Sequence, residues 1–358
     1  MKKIFTYFFV LLLTFLLIIN PEKSVIYAKN GLNLCTDIII PSLFPFFVCS
    51  GLLIYSGFCE VIAKLFSPVM KPLFNINPSG AAAFVLGIIS GYPLGALTVC
   101  QLYNGMYLSK SEAERLLAFS NNSGPLFIMG AVGVSIYHST KAGVILYIAH
   151  IIAAVTVGIL SRLYKPSSFT APRSAITTEE KNMSRIYSSV ISNSVNSMLT
   201  VCASVLFCST ISGIFLDMIN VAEPIKAFIS GIVEFSSGLK RISLLDWELV
   251  SKLLFSAWVC AFAGISVHLQ VMGIVNNSGL SLKPYIVGKI LHGLFSVLYT
   301  AIMLRFIPVT EMVFSTFTNS KRLGGGFFAS SLLSVSAIII LCIFGLLFIS
   351  SKKKDKTI

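Results

Sequence analysis

The sequence predicts an all-α protein that crosses a membrane several times. Of its 358 residues, 55% are hydrophobic and only 11% are charged, whereas about a quarter of the residues in soluble domains are charged. The apolar residues come in runs of about 20, the length that a helix needs to cross the hydrocarbon core of a bilayer. We therefore expect polytopic transmembrane helices and no separate soluble domain.

The net charge of +13 comes largely from basic residues at the ends of apolar runs. Lysines open and close the chain, and further basic residues lie in or beside the one long polar segment: Lys2, Lys3, Arg162, Lys165, Arg173, Lys181, Arg185, Lys352, Lys353, Lys354 and Lys356. Such residues mark cytoplasmic segments, so we place both termini in the cytoplasm. No basic patch is interleaved with aromatic residues, which argues against a nucleic-acid partner.

Motifs of metal sites, redox sites and soluble enzymes are missing from the sequence. The eight cysteines are scattered and none forms a Cys-x-x-Cys pair, so neither a metal nor a redox cofactor is indicated. The sequence contains no His-Glu-x-x-His, Walker A, dinucleotide or Gly-x-Ser-x-Gly motif. We expect a protein that is not an enzyme, and any transport to be facilitated or ion-coupled.

The elements follow from the apolar runs. Residues 1–30 hold a first transmembrane helix, preferred here over a signal peptide cleaved near Ala28. Residues 31–163 and 189–307 form two halves, joined by a cytoplasmic linker at 164–188, and 308–358 form a last transmembrane helix with a basic tail. Within the halves the apolar segments are 34–56, 58–76, 80–104, 113–136, 141–163, 195–217, 224–239, 250–275 and 284–307.

The two halves share one order of elements. Each reads as a helix, a short glycine-containing segment, an interrupted helix and a clean helix. If residue 30 is outside and the linker is inside, the first half runs inward and the second outward. The halves are then inverted repeats, as in many secondary transporters. Lys321 and Arg322 would lie outside, against the positive-inside rule.

The breaks in the apolar runs are the candidate binding sites, because irregular backbone inside a membrane must be buried in protein or line a cavity. The first break comprises Ser90, Gly91 and Tyr92, followed by Pro93. Proline removes a donor and glycine permits positive φ, which favours a hairpin tip. The alternative is helix packing through the GxxxG spacing of Gly87, Gly91 and Gly95.

The second break is the strongest signal, because Asn121, Asn122, Ser123 and Gly124 interrupt an apolar run. Asn and Ser offer donors and acceptors, and a helix that restarts at Pro125 presents free N–H groups. A solute or ion contact is the functional interpretation. A polar clamp between helices or a plain loop outside the membrane is the alternative.

Two further candidates lie in the second half. Glu234, with Ser236 and Ser237, is an acidic site in an apolar stretch and is a candidate for binding a proton or cation. The alternative is an interfacial glutamate paired with Lys240 or Arg241. Ser266 and His268 match the second break in position; His268 could titrate near neutral pH or simply pack between helices.

The motifs at Ser90–Ala96 and Asn122–Gly133 closely resemble those of the sporulation integral membrane protein YlbJ (SpoVV) family. That family belongs to spore-forming Firmicutes and carries the nucleoside-recognition Gate domain, and the likeness covers nearly the whole chain. It looks related to concentrative nucleoside transporters, in which two re-entrant hairpins and two broken helices surround the substrate.

The resemblance maps 80–104 and 224–239 onto the hairpins, and 120–125 and 262–268 onto the broken helices. Tyr92, Pro93 and Leu94 stand where the nucleoside transporters carry a Gln-Thr-Glu-like triplet, which speaks against a nucleoside as the solute. Glu234 followed by Ser236 resembles the acidic site of their second hairpin.

The resemblance implies a secondary transporter of a small polar or anionic solute. The foremost candidate is dipicolinic acid, moved from the mother cell across the outer forespore membrane during sporulation. The alternative is a non-transporting membrane scaffold needed for spore cortex or envelope assembly. Expected partners are the solute, the lipid bilayer and a coupling cation or proton; a homo-oligomer remains open.

Overall fold

The computed structural model describes residues 2–56, 58–164, 183–276 and 278–309. Within these ranges the chain is helical and contains no strand. The predicted C-terminal helix and basic tail lie outside the described residues from position 310 onward, as do residues 165–182 of the predicted linker.

The first half holds eight α-helices, numbered in chain order: α1 (Lys2–Ile19), α2 (Pro21–Leu34), α3 (Ile40–Tyr55), α4 (Phe58–Val69), α5 (Ala81–Ser90), α6 (Leu94–Asn104), α7 (Lys110–Ser120) and α8 (Thr140–Ser161). Three stretches are π-helical, Cys35–Ile39, Met70–Phe74 and Leu126–Ile136, and Pro78–Gly80 is a short 3-10 helix. The second half continues with α9 (Met183–Met218), α10 (Glu223–Val233), α11 (Phe235–Ser243), α12 (Leu249–Phe262), α13 (Gly264–Asn276) and α14 (Lys283–Phe306).

Four described segments are long and apolar enough to cross a membrane: Thr140–Ser161, Ile186–Met218, Leu249–Asn276 and Lys283–Phe306. A fifth crossing results if α1 and α2 are taken as one bent span. The chain is therefore an integral, multi-pass membrane protein, as the composition predicts.

The predicted first helix, 1–30, is divided into α1 and α2, which meet at a bend of 103°. Pro21 begins α2, where its missing N–H costs no hydrogen bond because the first turn of a helix has no acceptor to offer it. α2 then packs along α9, with Tyr27 against Gly213 and an ion pair of 3.3 Å between Lys23 and Asp217.

The helices α7, α8, α12 and α14 pack together and place the second break at their centre. A capping box starts α7: the Ser109 side chain accepts from the Glu112 N–H, and the Glu112 carboxylate accepts from the Ser109 N–H. Such a box satisfies the free N–H groups of a first turn. α14 approaches α7 so closely at Gly288 that a Cβ there would overlap the backbone of Ala118.

Candidate functional site

The break between α5 and α6 lies directly against the break that follows α7. Gly91 ends α5 with φ of 83°, a left-handed conformation that glycine adopts without strain. A Cβ on Gly91 would come 2.8 Å from the Gly124 nitrogen, and a Cβ on Gly124 would come 3.3 Å from the Ser90 carbonyl oxygen. Three of the predicted site residues, Ser90, Gly91 and Gly124, are therefore joined in one backbone contact.

Two more glycines bring the same helices together. Gly87 on α5 and Gly95 on α6 both face the carbonyl oxygen of Ser120, and a Cβ on either would overlap it. The glycine-mediated packing and the backbone break, which the sequence offered as alternatives for this segment, are thus both present. Gly87 and Gly95 therefore allow the break at Gly91 to lie against the end of α7.

The segment after α7 is irregular and buried. Asn121, Asn122 and Ser123 are each 1% exposed, and helical structure resumes at Pro125, as the sequence predicts. These residues are therefore packed within the protein, as both a solute contact and a polar clamp between helices require. The Ser123 N–H donates to Nε2 of His150 over 3.1 Å, which fixes the break to α8.

The two asparagines of this break keep unused hydrogen-bonding capacity. Asn122 Nδ2 donates to the Phe119 carbonyl oxygen at 2.9 Å, and Asn121 Nδ2 lies 3.5 Å from the Tyr285 hydroxyl. The Oδ1 atoms of both side chains are buried and have no hydrogen-bond partner among the described residues. Buried polar atoms without partners are costly, so these atoms are suited to meet a ligand or water.

A second pair of breaks repeats this arrangement. α12 ends at Phe262 and α13 begins at Gly264, with left-handed φ values of 73° at Ala263 and 70° at Gly264. A Cβ on Gly264 would come 3.1 Å from the Phe235 nitrogen and 3.3 Å from the Gly231 carbonyl oxygen. The break in α12–α13 therefore lies against the break at Glu234, between α10 and α11.

Glu234 is fully buried and caps α11. Its Oε1 accepts from the Ser236 N–H at 3.1 Å, and its Oε2 accepts from the Ser237 N–H at 2.7 Å. An N-cap acceptor satisfies N–H groups that would otherwise be unpaired inside the protein. The ion pair with Lys240 or Arg241 that the sequence left open is not seen among the described residues, where Arg241 instead lies 3.8 Å from Glu223.

The remaining predicted residues of the second half surround this pair of breaks. Ser237 shares a hydrogen bond of 3.0 Å with Ser209 on α9, whereas the hydroxyls of Ser236 and Ser266 are buried without a partner among the described residues. His268 bonds through Nδ1 to the Gly264 carbonyl oxygen at 2.7 Å, so its proton lies on Nδ1. Its Nε2 is buried and unpartnered in the same part of the chain.

The two pairs of breaks meet through aromatic side chains. Tyr92 packs edge-on against Phe235, with ring centroids 5.2 Å apart, and its hydroxyl lies 3.4 Å from the Ser123 hydroxyl. Between the pairs is a cavity of about 10 Å³ whose lining includes Gly124, Phe127 and Gln270. A cavity of this volume holds about one water molecule, so the breaks are closed on each other in this conformation.

Polar residues on the unbroken helices, which no interruption of an apolar run predicted, also contact the breaks. Lys289 on α14 is 1% exposed and donates from Nζ to the Asn121 carbonyl oxygen at 3.1 Å. The rings of His150 and His292, also 1% exposed, are in contact at a tilt of 50° with centroids 4.3 Å apart, and Tyr285 lies one turn before Lys289. A lysine inside an apolar helix is the signal that could have identified this group.

These residues make the site basic. Lys289 and His292 lie one turn apart on α14, His292 contacts His150, and His268 packs against the Tyr285 ring with centroids 5.2 Å apart. No acidic side chain pairs with Lys289 among the described residues, where its hydrogen bond is to a backbone carbonyl. The same part of the chain contains no group of three or more His, Cys, Asp or Glu side chains able to hold a metal ion.

The chain is similar to known proteins over a range that includes the first pair of breaks. The profile of the Gate family, described as nucleoside recognition, matches residues 38–222, more than half of the chain. The sporulation integral membrane protein YlbJ of Bacillus subtilis (strain 168) is 28% identical over 331 residues, which cover 82% of this chain and 81% of the relative. No solved structure matches.

The matched range contains Gly91 and the Asn121–Gly124 segment, whose backbones are in close contact in the structure. The resemblance inferred from the sequence is therefore confirmed: the chain belongs to the Gate family and is similar over most of its length to YlbJ.

Proposed function

We propose that the protein is a secondary transporter that holds a small polar or anionic solute between its two pairs of backbone breaks. The observation that carries the proposal is the meeting of four breaks inside a membrane protein, around buried polar atoms that have no partner among the described residues. Interrupted helices of this kind form the solute sites of many secondary transporters.

The repeated arrangement supports an inverted-repeat architecture. In each half, a pair of short helices breaks against a longer segment that is itself interrupted: α5–α6 against the end of α7, and α10–α11 against α12–α13. We therefore assign α5–α6 and α10–α11 as re-entrant hairpins, and the segments around Asn121–Gly124 and Ala263 as broken helices. In this assignment both termini are cytoplasmic.

The charge of the site favours an anion. Lys289 lies next to the break at Asn121 and has no acidic partner among the described residues, and the unpartnered hydroxyls of Ser120, Ser236 and Ser266 add neutral donors. Burying an unpaired ammonium costs several kcal/mol, and an anionic solute would remove much of that cost. Glu234 does not oppose an anion strongly, because both of its oxygens already accept backbone N–H groups.

The relative's name refers to sporulation, and within that process dipicolinic acid is our proposed solute. Dipicolinate is a small, flat dianion whose carboxylates suit an ammonium group and hydroxyl donors. We propose that the protein carries it from the mother cell across the outer forespore membrane. The direction follows from the proposed role and not from any single residue.

The closed cavity favours the second candidate, a non-transporting scaffold for spore cortex or envelope assembly. A volume of about 10 Å³ admits no solute, so a transporter must separate the two pairs of breaks, whereas a scaffold can keep them closed. The scaffold predicts that polar atoms at the breaks can be replaced by apolar ones without consequence.

Spores test the proposal against the scaffold. Strains of the source organism that lack the protein, or carry Asn122→Ala, should accumulate at least tenfold less dipicolinate than the wild type. Asn196→Ala is the matched control, because Asn196 is exposed on α9. Normal dipicolinate in the strain without the protein would contradict the proposal. Low dipicolinate in that strain, with full recovery in the strain that carries Asn122→Ala, would favour the scaffold.

A further inference from the structure

One face of α14 is polar along most of its length. Tyr285, Lys289, His292, Ser296 and Thr300 recur at intervals of three and four residues, which places them on one face of a helix. All five are 0–1% exposed. Tyr285 and Thr300 are about 22 Å apart along the helix axis, a large part of the hydrocarbon core.

The opposite side of the helix is apolar and exposed, with residues suited to lipid: Ile286, Val287, Ile290, Leu294, Leu298 and Ile302. The polar face therefore points into the protein, where α7, α8 and α12 pack against α14. Polar groups in this position are expensive and are retained in membrane proteins mainly for function.

Ser296 and Thr300 differ from most hydroxyl residues of the helices, as do Ser120, Ser236 and Ser266. A hydroxyl in a helix commonly donates to the carbonyl four residues earlier, and seven described residues do so: Thr14, Ser24, Thr98, Thr156, Thr200, Ser204 and Thr210. The Ser296 and Thr300 hydroxyls are buried and have no partner of any kind among the described residues. They are not held by the fold and are available to water.

The histidine pair connects this face to the break at Asn121–Gly124. His150 accepts the Ser123 N–H at Nε2, so neutral His150 carries its proton on Nδ1, which is buried and unpartnered in the described chain. His292 bonds to the His150 carbonyl oxygen over 2.9 Å, and only an Nε2–H can make that bond. Neutral His292 therefore carries a lone pair on Nδ1 that can accept a proton.

The titratable groups around the polar face are few. α8 contributes His150, α12 contributes Cys260, and His268 of α13 packs against the Tyr285 ring at 5.2 Å. From α7, the Glu114 carboxylate accepts the Ser281 N–H at 3.0 Å, just before α14 begins. No acidic side chain among the described residues neutralises Lys289.

We propose that the polar face of α14 is a proton pathway that couples solute movement to protons. The Lys289 ammonium gives a proton through water to Nδ1 of His292 and becomes a neutral amine. His292 passes a proton on to water beside Ser296 and Thr300. Each hydroxyl accepts a proton on its oxygen and releases its own, so neither keeps a charge.

This inference rests on the proposed function, because Lys289 also touches the solute break through Asn121. An anionic solute stabilises the ammonium form of Lys289, and departure of the solute favours its loss of a proton. Solute and proton occupancy are thereby linked. Ser296 and Thr300 lie two and three turns beyond Lys289, outside the solute site.

The test uses the full chain in liposomes that contain a pH-sensitive dye. Labelled dipicolinate, phthalate, succinate and uridine are each offered in two assays: exchange at equal pH on both sides, and net uptake driven by a pH difference. At one proton per solute, a difference of about one pH unit allows about tenfold accumulation. The test variant is Ser296→Ala with Thr300→Val, which keeps both shapes and removes both hydroxyls.

The matched control is Tyr299→Phe, which also removes a hydroxyl from α14. The Tyr299 hydroxyl lies off the polar face and is hydrogen-bonded to the Thr156 hydroxyl at 2.9 Å. Wild type and control should accumulate the exchanged solute about tenfold, with dye showing proton movement. The double variant should exchange solute at the wild-type rate and fail to accumulate it.

Accumulation by the double variant at the wild-type level would overturn the proton pathway, and so would net uptake in the wild type that does not respond to the pH difference. Either result leaves the transporter proposal standing. Failure of all four solutes to exchange contradicts the transporter proposal itself and removes the basis of the coupling.

Discussion

Lys289 and Asn121 join the last described helix to the most polar break in the chain. The Lys289 ammonium donates to the Asn121 backbone carbonyl over 3.1 Å, with both residues 1% exposed. The contact links residues 168 positions apart. It places a buried positive charge beside backbone and side-chain groups that are not fully used by the fold.

Replacing Lys289 by Met separates its role in transport from its role in folding. Methionine is of similar length and removes an ammonium whose burial without an acidic partner is unfavourable. We expect Lys289→Met to keep or raise the midpoint of thermal unfolding in detergent, while solute exchange in liposomes falls at least tenfold. Lys141→Met is the control, because Lys141 is exposed and bonds only the Pro308 carbonyl oxygen among the described residues.

A drop in the unfolding midpoint for Lys289→Met, together with normal exchange per folded molecule, would show that the lysine only supports the fold. Exchange that falls equally in Lys141→Met would show that the effect is not specific to the break.

Gly91→Ala tests the contact between the first two breaks. Alanine at a left-handed φ costs about 1–2 kcal/mol, and the Cβ would also meet the Gly124 nitrogen at 2.8 Å, which adds about 1–3 kcal/mol of overpacking. Gly279→Ala isolates the first cost, since Gly279 has φ of 69° and open space around it. Chemical unfolding should rank Gly91→Ala as clearly the less stable variant; equal losses would refute the close contact.

Glu234 is expected to stabilise α11 whatever else it does. Glu234→Ala removes both acceptors from the Ser236 and Ser237 N–H groups, and loss of an N-cap costs about 0.5–2 kcal/mol. Glu234→Gln keeps one acceptor oxygen and should lose less. Thermal unfolding of the two variants checks the order, and an alanine variant as stable as wild type would contradict the cap.

If Glu234 also takes part in transport, Glu234→Gln should lower exchange more than its small loss of stability explains. Exchange measured per folded molecule, at a temperature well below the unfolding midpoint, makes the comparison. Wild-type exchange in Glu234→Gln would leave the residue with its capping role alone.

The hydroxyls of the polar face of α14 should contribute nothing to stability. A buried hydroxyl without a partner costs about 1–3 kcal/mol by comparison with an apolar group of the same shape. We therefore expect Ser296→Ala with Thr300→Val to unfold at the wild-type temperature or above it. Marked destabilisation would mean that these hydroxyls are bonded within the fold, which would weaken their assignment to a proton pathway.

The sequence predicted those breaks that interrupt apolar runs with polar residues or glycine. Asn121–Gly124 stands out because four such residues are flanked by apolar ones, and Gly91 because proline follows two positions later. The break at Ala263 has no comparable signal of its own, since alanine is a strong helix former and its left-handed φ is imposed by packing. Only the neighbouring Gly264 pointed to the region.

The basic group was missed for a different reason. Lys289, His150 and His292 lie on regular helices, whereas every predicted site residue lies at or beside an interruption of the apolar pattern. Their meeting depends on how α8 and α14 pack, which no local pattern in one sequence encodes. The interval of three residues between Lys289 and His292 does place both on one helix face. A lysine in an apolar run also indicates a functional site by itself.

Exchange of labelled dipicolinate by the purified protein in liposomes tests the central claim most directly. Liposomes loaded with unlabelled dipicolinate should take up the labelled compound at least tenfold faster than protein-free liposomes, and Asn122→Ala should abolish most of that difference while Asn196→Ala preserves it. Exchange no faster than in protein-free liposomes, with folded protein present, would contradict dipicolinate transport by the two pairs of breaks.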